Sequence, residues 1–253
     1  MLILSSFAFF PAQAQTLQPQ TPPPAQTQPP AASSATPIAP KPTRTLILLD
    51  PAHGGPDTGA HLSGNASEKD ITLAFNNRLR ALLTTANFAV ISTRTADPGT
   101  VFTTDQRAEI ANHDHPAVCL ILHATSSGSG IHLFTSALTP PSASAHPPHI
   151  LHWDTAQVSS IPASLSLANE IGAALLNAKL PVILGQASVP PIDNLTCPAI
   201  AIELAPLSGS GSTPTPVTNT DYQQQAAQAI AAALTSWRSK TTADKATDGA
   251  AAQ

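Results

Sequence analysis

Apolar residues between about residue 44 and residue 238 form two kinds of pattern. Short and largely apolar runs predict buried strands, at residues 45–49, 88–93, 117–122, 131–134 and 198–204. Apolar residues with helical spacing predict helices between them, at residues 67–82, 104–112, 164–178 and 221–237. Strands that alternate with helices, and that are apolar on both faces, are typical of a parallel sheet. The pattern therefore predicts a single α/β domain whose mainly parallel twisted sheet is flanked by helices.

Local signals refine the helix boundaries. Ser67 is followed three residues later by Asp70, which predicts a capping box at the start of the first helix. The Pro-, Ser- and His-rich segment 140–162 predicts a loop, and Asn219 predicts the start of the last helix. The small polar residues 239–253 predict a disordered tail after that helix.

The N-terminal 43 residues have a different composition from the rest. They contain ten of the 26 prolines and no charged residue before Lys41. An apolar run from Leu2 to Phe10, followed by Ala12-Gln13-Ala14, predicts a secretory signal peptide over residues 1–14. No basic residue precedes the run, so a disordered and mildly apolar N-terminus is the alternative. Residues 15–43 predict an extended Pro-rich linker, which leaves residues 44–238 as the folded domain.

Composition excludes several classes of protein. The chain has 11 basic and 15 acidic residues among 253, and its formal charge is −4. That charge disfavours a nucleic-acid-binding protein. No run of 18 apolar residues is present, so no transmembrane segment is predicted. The sequence also lacks the His-Glu-x-x-His, Gly-x-Ser-x-Gly, Gly-x-Gly-x-x-Gly and P-loop motifs of common enzyme classes.

Four residues with metal or acid–base chemistry follow strands or begin helices. His53 follows the first strand, Glu68 stands at the start of the first helix, His123 ends the third strand, and Glu203 lies near the end of the last strand. Sites in α/β sheets form beyond the carboxyl ends of the strands. Two histidines and one carboxylate are a ligand set of hydrolytic zinc sites. A second carboxylate then serves as acid and base. Taken singly, each of these residues is more often a turn residue, a helix-start carboxylate or a solvent-facing strand end; their shared place at one edge favours the site.

At these positions the chain resembles the zinc-dependent N-acetylmuramoyl-L-alanine amidases of the amidase 3 family, over roughly Thr45 to Trp237. The segments that carry the resemblance are Asp50-Pro51-Ala52-His53-Gly54-Gly55, Asp57-Thr58-Gly59-Ala60, Glu68-Lys69-Asp70, Thr93-Arg94, Arg107 to Asn112, Leu122-His123-Ala124-Thr125, and Pro198-Ala199 through Glu203. Departures include Ala52 where the family has Gly and Thr125 where it has Asn. The segment after Glu203 also differs.

The resemblance implies the roles of the four residues. His53, Glu68 and His123 would bind zinc, and Glu203 would be the catalytic acid and base. The implied reaction is hydrolysis of the amide between N-acetylmuramic acid and L-alanine in peptidoglycan, by a protein exported to the periplasm or cell envelope. The alternatives are a zinc-binding peptidoglycan-recognition module with little turnover and a zinc peptidase acting on stem peptides. The sequence does not identify an activator protein.

The remaining histidines and cysteines leave alternatives open. His149 and His152 have the spacing of a second metal site, but no carboxylate or cysteine frames them, which favours low-complexity sequence. His132 is compatible with a substrate contact and with a place on the sheet surface. Cys119 and Cys197 are compatible with a disulfide and with two buried free thiols. Residues 137–162 contain five prolines, and no stable autoinhibitory helix is expected there.

Overall fold

The computed structural model describes residues 44–140, 152–208 and 213–251, with side chains as far as residue 243. The predicted signal peptide and linker lie outside the described residues. The strands are β1 (Leu46–Pro51), β2 (Ala89–Ser92), β3 (Val118–Ala124), β4 (Ile131–Thr135), β5 (Val182–Gln186) and β6 (Ala199–Leu204). The helices are α1 (Glu68–Thr85), α2 (Thr104–Asp114), α3 (Ile161–Asn177) and α4 (Thr220–Ala251). Short 3₁₀ helices occupy Ser63–Asn65, Trp153–Ser160 and Ile192–Asn194.

The six strands form one sheet in the order β2-β1-β3-β6-β4-β5. Every neighbouring pair is parallel except β4 and β6, which run antiparallel. The predicted mainly parallel α/β sheet is therefore confirmed. The reversal has one direct consequence: the first residues of β4 lie beside the last residues of β6, at the edge where β1 and β3 also end.

Helices cover both faces of the sheet. The larger apolar cluster joins one face to α1, α3 and α4, and its sheet residues include Ile47, Leu49, Leu120, Leu122, Ile200 and Ile202. The smaller cluster lies on the opposite face, where Leu48 and Ile121 pack with α2 and the Ile192–Asn194 helix. Alternate residues of each strand point to opposite faces. Because both sets are apolar, the strands appear in the sequence as continuous apolar runs.

A disulfide links Cys119 in β3 to Cys197, just before β6, with the Cα atoms 6.1 Å apart. The two strands are neighbours, so the cysteines are close enough to be joined without backbone distortion. The disulfide lies in the smaller apolar cluster. The sequence left a disulfide and two free thiols as alternatives, and the structure has the disulfide.

Three elements differ from the prediction. β5 was not predicted, because its short sequence follows Pro181 and contains Gly185. The segment 140–162, predicted as a loop, holds the 3₁₀ helix Trp153–Ser160 and the start of α3 at Ile161. The helix α4 continues to Ala251, whereas the prediction ends it at Trp237 and assigns a disordered tail to 239–253. Helix-forming Ala and Lys residues allow this continuation.

The predicted capping box at Ser67 is also wrong in its contacts. Ser67 is the N-cap of α1, but its hydroxyl donates to Asp70 Oδ2 at 2.5 Å and accepts no backbone N–H. A capping box forms instead at α2, where Thr103 and Gln106 satisfy each other's backbone N–H groups. At α4, Asn219 accepts a hydrogen bond from the N–H of Tyr222, as expected of a helix start.

Candidate functional site

His53, Glu68 and His123 lie together at the carboxyl edge of the sheet. Their ligand atoms are all within 4.8 Å of one another. His53 Nε2 is 3.1 Å from Glu68 Oε2, and His123 Nδ1 is 2.9 Å from Glu68 Oε1. The two imidazole rings meet edge to face, with centroids 5.6 Å apart. The structure therefore brings together the three residues for which the sequence predicts metal binding.

His53 is held by its own loop. Its Nδ1 lies 2.9 Å from Asp57 Oδ2, which leaves Nε2 directed at Glu68. A carboxylate on the far nitrogen of a histidine is a common support for a metal ligand. The hydrogen bond with Glu68 raises the pKa of His53 most; burial opposes it, and Asp57 adds to it. The backbone of His53 is left-handed, with φ +64°, while Ala52 is not among the residues with positive φ. The Gly-to-Ala departure at position 52 therefore needs no unusual backbone.

Glu68 receives hydrogen bonds from both histidines and from the backbone. Its Oε2 accepts from the N–H of Ala60 at 2.9 Å, and its Oε1 accepts from the N–H of Ala124 at 3.1 Å. Burial alone raises the pKa of this carboxyl. The hydrogen bonds from His123, His53 and Ala60 outweigh burial and hold its pKa well below the usual range. Glu68 is thus a carboxylate at neutral pH, as metal ligation requires.

Gly59 allows the loop to pass against two of the candidate metal ligands, His53 and Glu68. Its φ is +62°, and a Cβ there would lie 2.6 Å from His53 Cδ2 and 2.7 Å from Glu68 Oε2. Any side chain would therefore collide with both of these residues and also strain the backbone. This glycine belongs to the Asp57-Thr58-Gly59-Ala60 motif, and its close approach to His53 and Glu68 explains its place there.

Two buried arginines support the loop that carries His53. Arg94 donates to the carbonyl oxygens of Pro51, Ala52 and Lys69. Arg107 donates to Asp50 Oδ1 at 2.6 Å, to the Pro51 carbonyl at 2.9 Å and to the His53 carbonyl at 2.7 Å. The sequence marks both arginines as motif residues without giving them a role. Their role in the structure is to fix the main chain under the candidate metal centre.

Glu203 lies on β6 beside His123. The register pairs Glu203 with His123 of β3 on one side and with His132 of β4 on the other. Neighbouring strands are about 5 Å apart. His132 Nδ1 is 2.7 Å from Glu203 Oε2. The sequence left His132 between a substrate contact and a sheet-surface position, and it missed this contact because the direction of β4 is not visible in an apolar run.

The donor set fits zinc. Two ring nitrogens and one carboxylate are the protein ligands of many hydrolytic zinc sites. The donor atoms converge within 4.8 Å of one another, and His53 Nε2 and His123 Nδ1 both face the Glu68 carboxylate. His53, Glu68 and His123 are the residues that would hold the ion.

A cleft of about 490 Å³ adjoins the β3–β4 loop. Serine, threonine, proline and glycine line its described part, including Ser126 and Gly128 next to the site and Pro206 and Ser208 after β6. No charged side chain lines this part of the cleft. Such walls suit an uncharged, hydroxyl-rich ligand. Thr125, which departs from the family pattern, hydrogen-bonds to the hydroxyl of Ser127 in the same loop.

The predicted second histidine pair is only partly visible. His149 lies outside the described residues. His152 is exposed, and its Nδ1 is 2.7 Å from Asp154 Oδ1. Within the described part of the chain, His53, Glu68 and His123 are the one group of three or more residues that could hold a metal. In the same part of the chain, no helix is both long and apolar enough to cross a membrane.

Comparison with known proteins gives one consistent family. The family model for N-acetylmuramoyl-L-alanine amidase matches residues 47–236. The amidase AmiA of Salmonella typhimurium is 36% identical over 82 residues, which are 32% of this chain and 28% of that protein. The germination-specific amidase of Bacillus subtilis is 48% identical over 52 residues, 21% of this chain and 22% of that protein. Each alignment thus spans less than a third of the curated relative.

Solved structures agree at the level of the fold. The crystal structure of an N-acetylmuramoyl-L-alanine amidase from Clostridium difficile 630 superposes with a TM-score of 0.59 at 22% identity, covering 78% of this chain and 98% of that chain. At this identity the likeness concerns the fold. The family match covers most of the described domain and includes all four residues predicted for the site. The chain therefore belongs to the amidase 3 family of N-acetylmuramoyl-L-alanine amidases.

Proposed function

We propose that this protein is a zinc-dependent hydrolase of the amide bond between N-acetylmuramic acid and L-alanine in peptidoglycan. The observation that carries the proposal is the geometry of the edge, where His53, Glu68 and His123 cluster and Glu203 pairs in register with His123. The family supports the reaction class. The cleft beside the site, with hydroxyl-bearing walls, offers a place for the sugar part of that substrate.

The residues divide the work of the reaction. His53, Glu68 and His123 hold the ion, which when bound polarises the amide carbonyl and makes water more acidic. Glu203 accepts the proton of the attacking water and then donates it to the nitrogen of the departing L-alanine. The half-open side chain of Glu203, 30% exposed, has room to reach substrate. Arg94 and Arg107 keep the His53 loop in place throughout.

The proposal includes export to the periplasm or cell envelope, where peptidoglycan lies. A signal peptide over residues 1–14 and a Pro-rich linker over 15–43 would lead into the catalytic domain at residues 44–238. The Cys119–Cys197 disulfide supports this location, because disulfides persist in oxidising compartments.

The decisive experiment measures products and metal together. The full chain is incubated with purified peptidoglycan as isolated, after chelation and after zinc is restored, and products are identified by mass spectrometry. We expect free stem peptides that begin with L-alanine, lost on chelation and recovered with zinc. Glu203→Gln should reduce turnover by about 10²- to 10⁴-fold without loss of bound zinc. The exposed α2 residue Glu109 gives the matched control, and Glu109→Gln should keep full activity.

Other outcomes would replace the proposal. Stoichiometric zinc with intact glycan–peptide linkages would indicate a peptidoglycan-binding module. Cleavage within the stem peptide would indicate a zinc peptidase. Activity that survives complete metal removal would contradict the role given to His53, Glu68 and His123.

A further inference from the structure

Three reactive side chains form a row across neighbouring strands. His123, Glu203 and His132 are Cα partners on β3, β6 and β4. Residues directly opposite each other on neighbouring strands point to the same face. The proposed metal ligand, the proposed acid–base residue and His132 therefore share one face at the carboxyl edge of the sheet.

His132 approaches Glu203 from the protein interior. The His132 side chain is 10% exposed, whereas the Glu203 side chain is 30% exposed. The contact between Nδ1 and Oε2, at 2.7 Å, is the one side-chain hydrogen bond of Glu203 within the described residues. The carboxylate is thus tethered on its inner oxygen, and Oε1 has no protein partner in this part of the chain.

The imidazole of His132 has little freedom to turn away. Gly128 runs past its outer edge, with φ +79°, and a Cβ on Gly128 would lie 2.6 Å from Cε1 and 2.9 Å from Nε2. The Phe134 ring packs edge to face, with its centroid 6.3 Å away. Packing on both sides therefore sets the direction in which Nδ1 points.

The imidazole of His132 has one buried nitrogen to which no described group hydrogen-bonds. Among the described residues, the Nε2 atom of His132 is buried without a hydrogen-bond partner, and such an atom destabilises the folded state. An aromatic hydrocarbon of similar size would avoid that cost. The unpaired Nε2 atom is unfavourable for stability, and the other ring nitrogen contacts one carboxylate. This combination indicates that the ring acts on that carboxylate.

We propose that His132 is the positioning residue of Glu203: its Nδ1–H donates to Oε2 and holds the carboxylate so that Oε1 faces the attacking water and the departing nitrogen. This inference rests on the proposed amidase function. An acid–base group must stay within hydrogen-bond distance of the proton that it moves. A displacement of about 1 Å costs about 100-fold in rate. A glutamate without its tether would populate other rotamers and lose that distance.

Two substitutions separate positioning from packing. His132→Phe keeps a ring but removes the donor, and we expect kcat to fall about 10- to 100-fold with KM, bound zinc and thermal stability retained. His132→Asn places an amide nitrogen near the position of Nδ1 and should restore kcat to within a few-fold of wild type. His132→Gln places its amide near Nε2 and should not. His113→Phe, at an exposed histidine, is the control for the substitution itself.

These experiments separate the positioning role of His132 from the proposed amidase function. If the wild-type holoenzyme releases stem peptides and His132→Phe does so at the same rate, the positioning role is wrong and the amidase function stands. If His132→Asn lowers kcat as much as His132→Phe does, loss of the Nδ1 donor does not explain the lower kcat. A second measurement does not depend on catalysis. In ¹⁵N NMR spectra of the zinc-loaded protein, the His132 signal is identified as the one that disappears in His132→Asn. We expect this signal to show that the proton is on Nδ1. The Nε2–H tautomer would overturn the inference.

Discussion

Removal of the Arg107 guanidinium is expected to destabilise the domain severely. Arg107 and Asp50 form a salt bridge at 2.6 Å, with side chains that are only 4% and 2% exposed. Arg107 also donates to the carbonyl oxygens of Pro51 and His53. In Arg107→Met, the Asp50 carboxylate keeps only the hydroxyl of Thr93 as a partner. The substitution therefore leaves the buried Asp50 carboxylate without its counter-ion and the His53 carbonyl without its donor, whereas the Pro51 carbonyl keeps Arg94.

The magnitude follows from these contacts. Breaking a buried ion pair by removing one partner costs about 3–5 kcal/mol. The total free energy of unfolding of a domain is about 5–15 kcal/mol. We expect Arg107→Met to lower the free energy of unfolding by about 3–5 kcal/mol. Arg107→Lys keeps the charge but cannot reach Asp50 and the His53 carbonyl together, so its cost should be smaller.

A double-mutant cycle tests the reason for the loss. Urea unfolding of the metal-free full chain, with the disulfide intact, is followed by circular dichroism for Arg107→Met, Asp50→Asn and the double variant. The double variant should lose at least about 1 kcal/mol less than the sum of the single losses, because residues in one network couple. Arg80→Met, at an exposed arginine of α1, should change stability by less than about 0.5 kcal/mol. A loss below about 1 kcal/mol for Arg107→Met, or strict additivity, would refute the reasoning.

Three further substitutions have expected outcomes. Gly59→Ala should weaken zinc binding, measured by calorimetric titration, at least about tenfold. Gly64→Ala is the control, because Gly64 has a similar φ of +71° but open space around it, and it should leave zinc affinity unchanged. Equal zinc affinities of the two variants would contradict the steric argument. Replacing both Cys119 and Cys197 with Ala should lower stability in urea by up to about 4.5 kcal/mol, the chain-entropy value for a separation of 78 residues, and an unchanged midpoint would contradict it. Tyr222→Phe removes a buried hydroxyl hydrogen-bonded to two backbone carbonyl groups and should cost about 1–3 kcal/mol in the same assay; no loss would mean that water replaces the hydroxyl.

The elements that the sequence predicts well are those whose signal is local. The periodicity of α1 places Ile71, Phe75 and Leu79 in the core, as found. Strands with apolar residues on both faces predict the covered sheet. The four candidate site residues were identified because each stands where a strand ends or a helix begins, and parallel strands bring such positions to one edge. Periodicity alone therefore locates these residues, and the parallel topology of the sheet brings them together.

The contacts that the sequence does not reveal depend on partners far along the chain. Arg107 meets Asp50 across 57 positions, and His132 meets Glu203 across 71. Whether Ser67 or Thr103 forms a capping box depends on side-chain rotamers. The Ser67 hydroxyl donates to Asp70 and so does not cap the helix. β5 is a short edge strand that exposes Ile183 and Leu184, and Gly185 ends its apolar run after three residues.

The direction of β4 shows why the acid–base half of the site is harder to predict than the metal half. An apolar run has the same pattern in either direction. If β4 ran parallel to β6, with Ile131 beside Ala199, His132 would lie beside Ile200, three residues and about 10 Å from Glu203 along the strand. In the antiparallel register, His132 lies directly opposite Glu203. The proposed metal ligands converge through parallel strands and one helix start, whereas His132, the partner of Glu203, reaches the edge because a single strand is reversed. A change that shifts the β4 register by one residue would therefore turn His132 to the other face, and should impair turnover while zinc remains bound.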